Sequence, residues 1–349
     1  IMEKVVVNET PVRTSRNFRI NNIVLENIDL PENSNKFENV EIKQSSCEVS
    51  EVKPDVKMVY GMSKVFEESI EKNYNSSLKI VADKKDDVQI DFCFDDDNLV
   101  LSNYLEIEAN SNLNVVIRYV SNTEKQCFHN GILKLNAKNG SKVNVAVINL
   151  LNNVSLNFEA IENAFEDGAD VNYTIIDIGA KTSVSNYYSN MVGQGSKNDL
   201  KTIYLGTDEQ VKDINYIAEL RGEKTDINID VQGALKNHSK KNFKGTIDFK
   251  KGCKKAVGDE NEYCMLLTDD SKSIALPMLL CTEDDVEGNH STASGKVDAE
   301  ELFYIMSRGI GYNDAIKLIV KSRFNKILER ITDEELRTEI LEEIDRRLN

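Results

Sequence analysis

Few residues in this chain could do chemistry. There are three histidines, His129, His238 and His290, and six scattered cysteines, Cys47, Cys93, Cys127, Cys253, Cys264 and Cys281. No CxxC, HxH or HExxH spacing occurs, so neither set reads as a dedicated metal site. A catalytic triad needs a histidine beside an activated nucleophile, and no GxSxG supplies one. The cysteines read as reduced thiols, several of them buried. The string GQGSK at 193–197 lacks the spacing of a phosphate loop and predicts a turn. Acidic runs at 95–97 and 269–270 predict solvated turns in so acidic a chain. His129 and His238 read as surface or hydrogen-bonded residues. His290 is set apart by its context, DDVEGNHSTASGKVDAEELFYIMSRGI at 284–310. There it occupies a polar turn ahead of an aromatic helix that contains Arg308 and Gly309.

The elements around these residues fall into three textures. Residues 1 to about 55 are irregular, and a short helix is predicted over 60–73, with Met62, Val65, Phe66 and Ile70 at helical spacing. From about 77 the pattern has period two. Leu78, Ile80 and Ala82 alternate with neighbours of the other face. So do Val88, Ile90, Phe92 and Phe94, then Leu105, Ile107 and Ala109, then Val115, Ile117 and Tyr119. The same alternation recurs at Val143, Val145 and Val147, at Ile227, Ile229 and Val231, and at Phe243, Gly245, Ile247 and Phe249. Short strands with polar punctuation suit a sandwich, a barrel or a β-solenoid. Hairpin signals such as Asn130-Gly131 and Asn139-Gly140 are few for so many strands, which leans toward a solenoid; no repeat of constant length decides it. After 297 the texture is helical. Asp298 with Glu301 starts one helix, Gly309 and Gly311 end it, Asn313 or Asp314 caps a second, and Thr332 with Glu335 boxes a third.

Composition excludes some functions. The chain has 349 residues, 40% of them hydrophobic, and a formal net charge of −16. Non-specific nucleic-acid binding needs a basic face and is not expected. Ile1 precedes Met2 and reads as an appended residue before the native start. No secretory leader follows, and the longest apolar stretches, such as IALPMLLC at 274–281, are too short to cross a bilayer. A cytoplasmic protein with no membrane partner is the expectation.

Residues 243–324 carry a specific pattern. Phe243 and Gly245 lie in NFKG. Met265, Leu266, Leu267 and Thr268 precede Pro277. Asp284, Asp285 and Val286 lead to His290. Asp298, Leu302, Phe303 and Tyr304 lead to Ser307, Arg308 and Gly309. This resembles the SufB/SufD family of iron–sulfur cluster assembly scaffolds, most of all its SufD branch. The segment TPVRTSRNFRINN at 10–22 resembles the opening of SufD-type chains, and the similarity is weak over 77–230. The resemblance implies a mainly β fold, a right-handed parallel β-helix over 76–296. A short N-terminal segment (1–75) precedes it, and a C-terminal helical module (297–349) follows that would bind the ATPase SufC.

It also implies a role. SufB and SufD pair through their β-helices, each holds one SufC, and ATP-driven SufC dimerisation reshapes the interface where the nascent cluster forms. This chain would then be a scaffold and not an enzyme. It would hold no permanent cofactor but a transient iron–sulfur cluster, and a cysteine desulfurase would feed the system indirectly. Candidate cluster or interface ligands are His290, Glu262 and Cys264, with His290 and Glu262 as candidate iron ligands. His290 falls on the family's interface histidine. Glu262 stands where SufB proteins carry a cysteine, and Cys264 lies two residues along on the same strand face. Gly288 replaces a cysteine found in many SufD proteins, and Ser291 replaces a glutamate common in SufB. These departures favour the supporting partner over the sulfur-accepting one. Phe303, Tyr304, Arg308, Ile316, Ile319 and Phe324 are the residues implied for SufC docking. A SufB-like scaffold, pairing with itself, is the alternative within the family. A β-helix carbohydrate-active enzyme or adhesin is the alternative outside it.

Overall fold

The computed structural model describes residues 2–14, 20–31, 35–44 and 46–349. Ile1 and residues 15–19 of the 10–22 motif lie outside the described residues. The segment read as irregular contains four short strands: β1 (Met2–Val7), β2 (Ile23–Ile28), β3 (Val40–Gln44) and β4 (Glu48–Glu51). β1 and β2 form an antiparallel pair. Helix α1 (Lys64–Asn73) follows, burying Phe66 and Ile70.

Sixteen strands then wind into a parallel β-helix. On one side stack β5 (Ser76–Ala82), β7 (Val100–Ala109), β9 (Phe128–Ala137), β11 (Leu156–Phe165), β13 (Thr182–Met191), β15 (Val211–Leu220), β17 (Lys240–Phe249) and β19 (Lys272–Cys281). On the other stack β6 (Asp86–Phe94), β8 (Leu113–Ser121), β10 (Lys142–Leu150), β12 (Asp170–Asp177), β14 (Lys197–Gly206), β16 (Asp226–Leu235), β18 (Ala256–Leu266) and β20 (Val286–Lys296). Antiparallel β4 and β3 close the first coil at one end of each sheet. At the other end β19 and β20 are edges.

The period-two pattern has a direct cause. Alternate residues of each strand enter the lumen between the sheets, where Ile90, Ile117, Val145, Tyr173, Ile229 and Phe243 pack as one core. The corners need a residue with positive φ. Gly140, Gly168 and Gly195, at 68°, 65° and 66°, fill that position in successive coils, and Lys224 and Lys255 fill the next two at 57° and 59°. Each donates its N–H to the next coil, as Gly195 does to Glu223 O at 2.8 Å. Asn139-Gly140 is therefore a solenoid corner and not a hairpin, and Asn130-Gly131 lies inside β9. GQGSK is a corner turn, as read.

Two outer layers cover the sheets. Helices α2 (Ala299–Ser307), α3 (Tyr312–Leu328) and α4 (Glu334–Leu348) follow β20. α3 and α4 press Val320, Phe324, Ile340 and Ile344 onto Ile148, Ile176, Ile203 and Leu205 of the even-numbered sheet. Asp298 caps α2 as expected. The cap of α3 is Gly311 rather than Asn313 or Asp314, and that of α4 is Asp333, one residue past Thr332. Asp333 prevails because its carboxylate accepts from both Glu335 N (2.9 Å) and Leu336 N (3.1 Å). The N-terminal segment covers the odd-numbered sheet. There buried Asn8 donates to Asp213 Oδ1 at 2.6 Å, and Lys244 Nζ reaches the same oxygen at 2.5 Å.

Candidate functional site

The open end of the β-helix is built from β18, β19 and β20. Among the described residues no strand pairs with the outer edge of β20, and nearly every residue of it is exposed. His290 is in the middle of this strand and not in a turn. The polar run GNHSTASGK misleads because an edge strand with no coil beyond it buries neither face. Its Cα partner on β18 is Glu260; Thr292 pairs with Glu262 and Ser294 with Cys264. By alternation, Gly258, Glu260, Glu262 and Cys264 enter the lumen, and Gly288, His290, Thr292 and Ser294 share that face one coil further on. Ser294 Oγ donates to Ser273 Oγ of β19 at 3.2 Å, tying the two edge strands across the open end. Pro277 lies within β19, and an edge strand tolerates its missing N–H.

Gly288 is confined by packing. A Cβ there would stand 3.0 Å from the ring of Phe249, so any side chain requires the ring to move. A thiol at this position asks the Phe249 ring to give by a few tenths of an ångström.

Glu262 is already engaged. Its Oε1 accepts from Tyr204 Oη at 2.9 Å and from Lys241 Nζ at 2.7 Å, and all three side chains are buried. Lys241 also donates to Ile274 O of β19 at 3.2 Å. Room for the Tyr204 ring comes from Gly233, where a Cβ would fall 1.8 Å from a ring carbon. Cys264 is buried beside this group. Burial pushes its thiol up, against the lowering influence of Lys241 and of hydrogen bonds with Tyr204 and Ser273. The charge of Glu262 adds to the rise, so the thiol is held neutral.

Glu260 escapes a reading from sequence. Its carboxyl is buried with neither oxygen hydrogen-bonded, and burial, then the charge of Glu262, raises its pKa to about 8. The signal was the i, i+2 spacing of Glu260, Glu262 and Cys264, but charged residues in a period-two strand ordinarily mark the solvent face. Among the described residues no three His, Cys, Asp or Glu side chains converge on one point as a metal site. His129 is buried in the lumen, with ring nitrogens 2.6 Å from Asn157 Oδ1 and 2.9 Å from Asn103 Oδ1, and His238 is exposed. Of the cysteines, Cys47, Cys127, Cys253 and Cys264 are buried, Cys93 is half-buried and Cys281 is exposed; all six are free.

The helical module offers a separate surface. Phe303 is 74% exposed and Tyr304 58%, and α2 buries none of its residues. Arg308 lies over the Tyr304 ring at 4.9 Å and donates to its hydroxyl at 2.7 Å. Tyr312 and Leu318 of α3 are exposed as well. Ile316, Ile319 and Phe324 face the other way, into the contact with the sheet. No helix among the described residues is long and apolar enough to cross a membrane.

Residues 94–323 match the family described as SUF system FeS cluster assembly, SufBD core domain. Over 166 residues the chain is 26% identical to the iron–sulfur cluster assembly protein SufD of Bacillus subtilis, covering 48% of this chain and 38% of that protein. A SufBD family protein of Pyrococcus horikoshii is 31% identical over 162 residues, covering 45% and 35% of the two chains. One from Mycobacterium leprae is 22% identical over 203 residues, covering 58% and 23%. The matched stretches thus span well under half the length of these relatives.

Proposed function

The chain belongs to the SufBD family of iron–sulfur cluster assembly proteins, and from that premise we propose that it is a SufD-like scaffold subunit without turnover of its own. It pairs through the open end of its β-helix with a SufB homologue and holds a SufC-type ATPase on its helical module. The nascent cluster is cargo assembled at the paired ends, with His290 facing it. The observation that carries this reading is the bare edge of β20, which presents His290 at mid-strand with no coil beyond it. Unpaired edges are templates for another chain, and here two of them lie side by side. Glu262 supports the partner role over the sulfur-accepting one. Its Oε1 is committed to Lys241 and Tyr204, and a carboxylate cannot take up a persulfide. Exposed Phe303, Tyr304 and Arg308 supply the aromatic and arginine anchors that interfaces favour.

Co-expression with a SufB homologue and its ATPase tests this. A three-protein complex is expected. The double variant Phe303→Ala/Tyr304→Ala is expected to lose the ATPase and keep the β-helix partner. Absence of any complex with residues 297–349 intact would overturn the proposal.

A further inference from the structure

Two adjacent corners of the β-helix carry lysine where the preceding corners carry glycine. The positive-φ position is Gly140, Gly168 and Gly195 in three coils, then Lys224 and Lys255 in the next two. A side chain in that region crowds the following carbonyl oxygen and is disfavoured. Elsewhere among the described residues positive φ falls on glycine, asparagine, aspartate and Ala180. Asparagine and aspartate reach it through local hydrogen bonds, a compensation that lysine lacks. Glycine serves at the same position one coil earlier, so the two lysines are held against the preference of the backbone.

Their charges belong to a patch. Residues 221–225 and 250–255 contain six cations, Arg221, Lys224, Lys250, Lys251, Lys254 and Lys255, against one acid, Glu223. Arg221 is engaged by Glu219 at 2.5 Å and Lys250 by Asp248 at 2.5 Å. The other four are exposed, and among the described residues none of them makes an ion pair. They stand close together. Lys224 N donates to Lys254 O at 2.8 Å, and Lys224 and Lys255 occupy one corner position in adjacent coils, about 4.8 Å apart. Stacked like charges repel, although the chain has 59 acidic residues from which to answer them. With a net charge of −16, the chain does not need these lysines for solubility.

The corner already takes one carboxylate. Glu283 Oε2, from the next coil, accepts from Gly252 N at 2.9 Å. That hydrogen bond first, with the charge of Lys254 among the lesser causes, holds Glu283 below the usual carboxylate range. The patch is two coils high, about 10 Å, and the following corner carries exposed Asp284 and Asp285. A nucleic acid or an anionic bilayer is wider than this and would meet those acids. An extended peptide is narrow enough to avoid them, and its carboxylates suit lysine, a point charge on a flexible stem.

We propose that the corners at 221–225 and 250–255 dock an acidic polypeptide segment of a partner protein, with Lys224, Lys251, Lys254 and Lys255 as the contacts. The site lies on the side of the β-helix, one coil below the last corner, where Lys255 N donates to Asp285 O. It goes beyond the scaffold reading and does not depend on it.

Fluorescence anisotropy of a labelled oligo-glutamate peptide, titrated with the full chain at low salt, tests it. Saturable binding that weakens as salt rises is expected. Lys224→Gly/Lys255→Gly is expected to weaken binding roughly tenfold and yet to raise the urea midpoint, because it removes charge and backbone strain together. A structural role for the two lysines would move stability the other way. Lys251→Gln/Lys254→Gln is expected to weaken binding to a similar degree with the midpoint unchanged, and it decides alone should the glycine variant not fold. Lys84→Gln/Lys85→Gln, at an exposed corner flanked by Asp83 and Asp86, removes the same charge elsewhere and is expected to leave binding as in the wild type. No saturable binding, wild-type affinity in Lys251→Gln/Lys254→Gln, or an equal loss in the Lys84/Lys85 variant would overturn the proposal. So would tighter binding of a single-stranded oligonucleotide or of phosphatidylserine vesicles that the same lysine variants abolish.

Discussion

Glu260 ionises near pH 8 because its carboxyl has left water and stands beside Glu262. In the unfolded chain the same group titrates at its ordinary value of 4.5. Between those values the unfolded chain binds fewer protons than the folded one. Stability therefore falls as pH rises from 4.5 toward 8, by on the order of 3 kcal/mol at pH 7 for a group so fully buried. Glu159, buried in the lumen and also raised to about 8, adds to the same slope. The Glu260→Gln variant is expected to match the wild type near pH 5 and to exceed it at pH 8, read as urea midpoints at the two values. An identical gap at both values would show that the acid is not held neutral. Of the open-end residues, His290, Glu262 and Cys264 were legible through family resemblance. Glu260 was not, because the inward face of β18 inverts the usual rule and carries two carboxyls.

Strands were legible one at a time, and the coil was not. Leu156 and its partner Thr182 are 26 residues apart, whereas Lys240 and its partner Lys272 are 32 apart, so no constant period exists to be found. What repeats is position within the coil. On the outer face of the even-numbered sheet Asp87, Asn114, Asn144, Asn172, Asp199, Asn228, Asp259 and Asn289 stand in one column. Most rungs are linked by amide hydrogen bonds, as from Asn144 to Asn114 at 2.7 Å and from Asn172 to Asn144 at 3.0 Å. The corner column makes an equally specific demand on the backbone. A Cβ on Gly195 would meet nothing within 4 Å, so its substitution isolates the cost of φ alone. Gly195→Ala is expected to destabilise by about 1 kcal/mol, and Lys255→Gly, at the same corner two coils on, to shift the denaturation midpoint the other way. Equal and opposite signs fail to appear if the corner relaxes to negative φ, which a crystal structure of Gly195→Ala would reveal.

The whole molecule is a lumen with two coverings, and their energetics differ. The three textures seen along the chain correspond to the N-terminal segment, the coils and the helices. How the helices lie on the coils was hidden, since an apolar helix face does not say which surface it meets. Ile148, Ile176 and Ile203 form one outward column and Leu150, Ile178 and Leu205 the next, an apolar strip that α3 and α4 cover. Charged contacts fix the orientation. Arg118 bridges to Glu339 at 2.6 Å, Arg330 approaches Asp199, and Arg347 Nη2 donates to Leu151 O at 2.8 Å. α2 is different: it lies at the margin of this contact, with Phe303 and Tyr304 turned to solvent. Two outcomes are expected. A chain ending at Lys296 exposes the strip and should bind a hydrophobic dye and self-associate, because apolar patches of that extent do not stay solvated. Phe303→Ser/Tyr304→Ser should leave the unfolding midpoint within about 0.5 kcal/mol of wild type, because neither residue is packed. Light scattering and urea unfolding read the pair together. A monomeric truncated chain would mean that the strip needs no helical cover, and a strongly destabilised double variant would mean that the aromatics of α2 belong to the fold rather than to a partner.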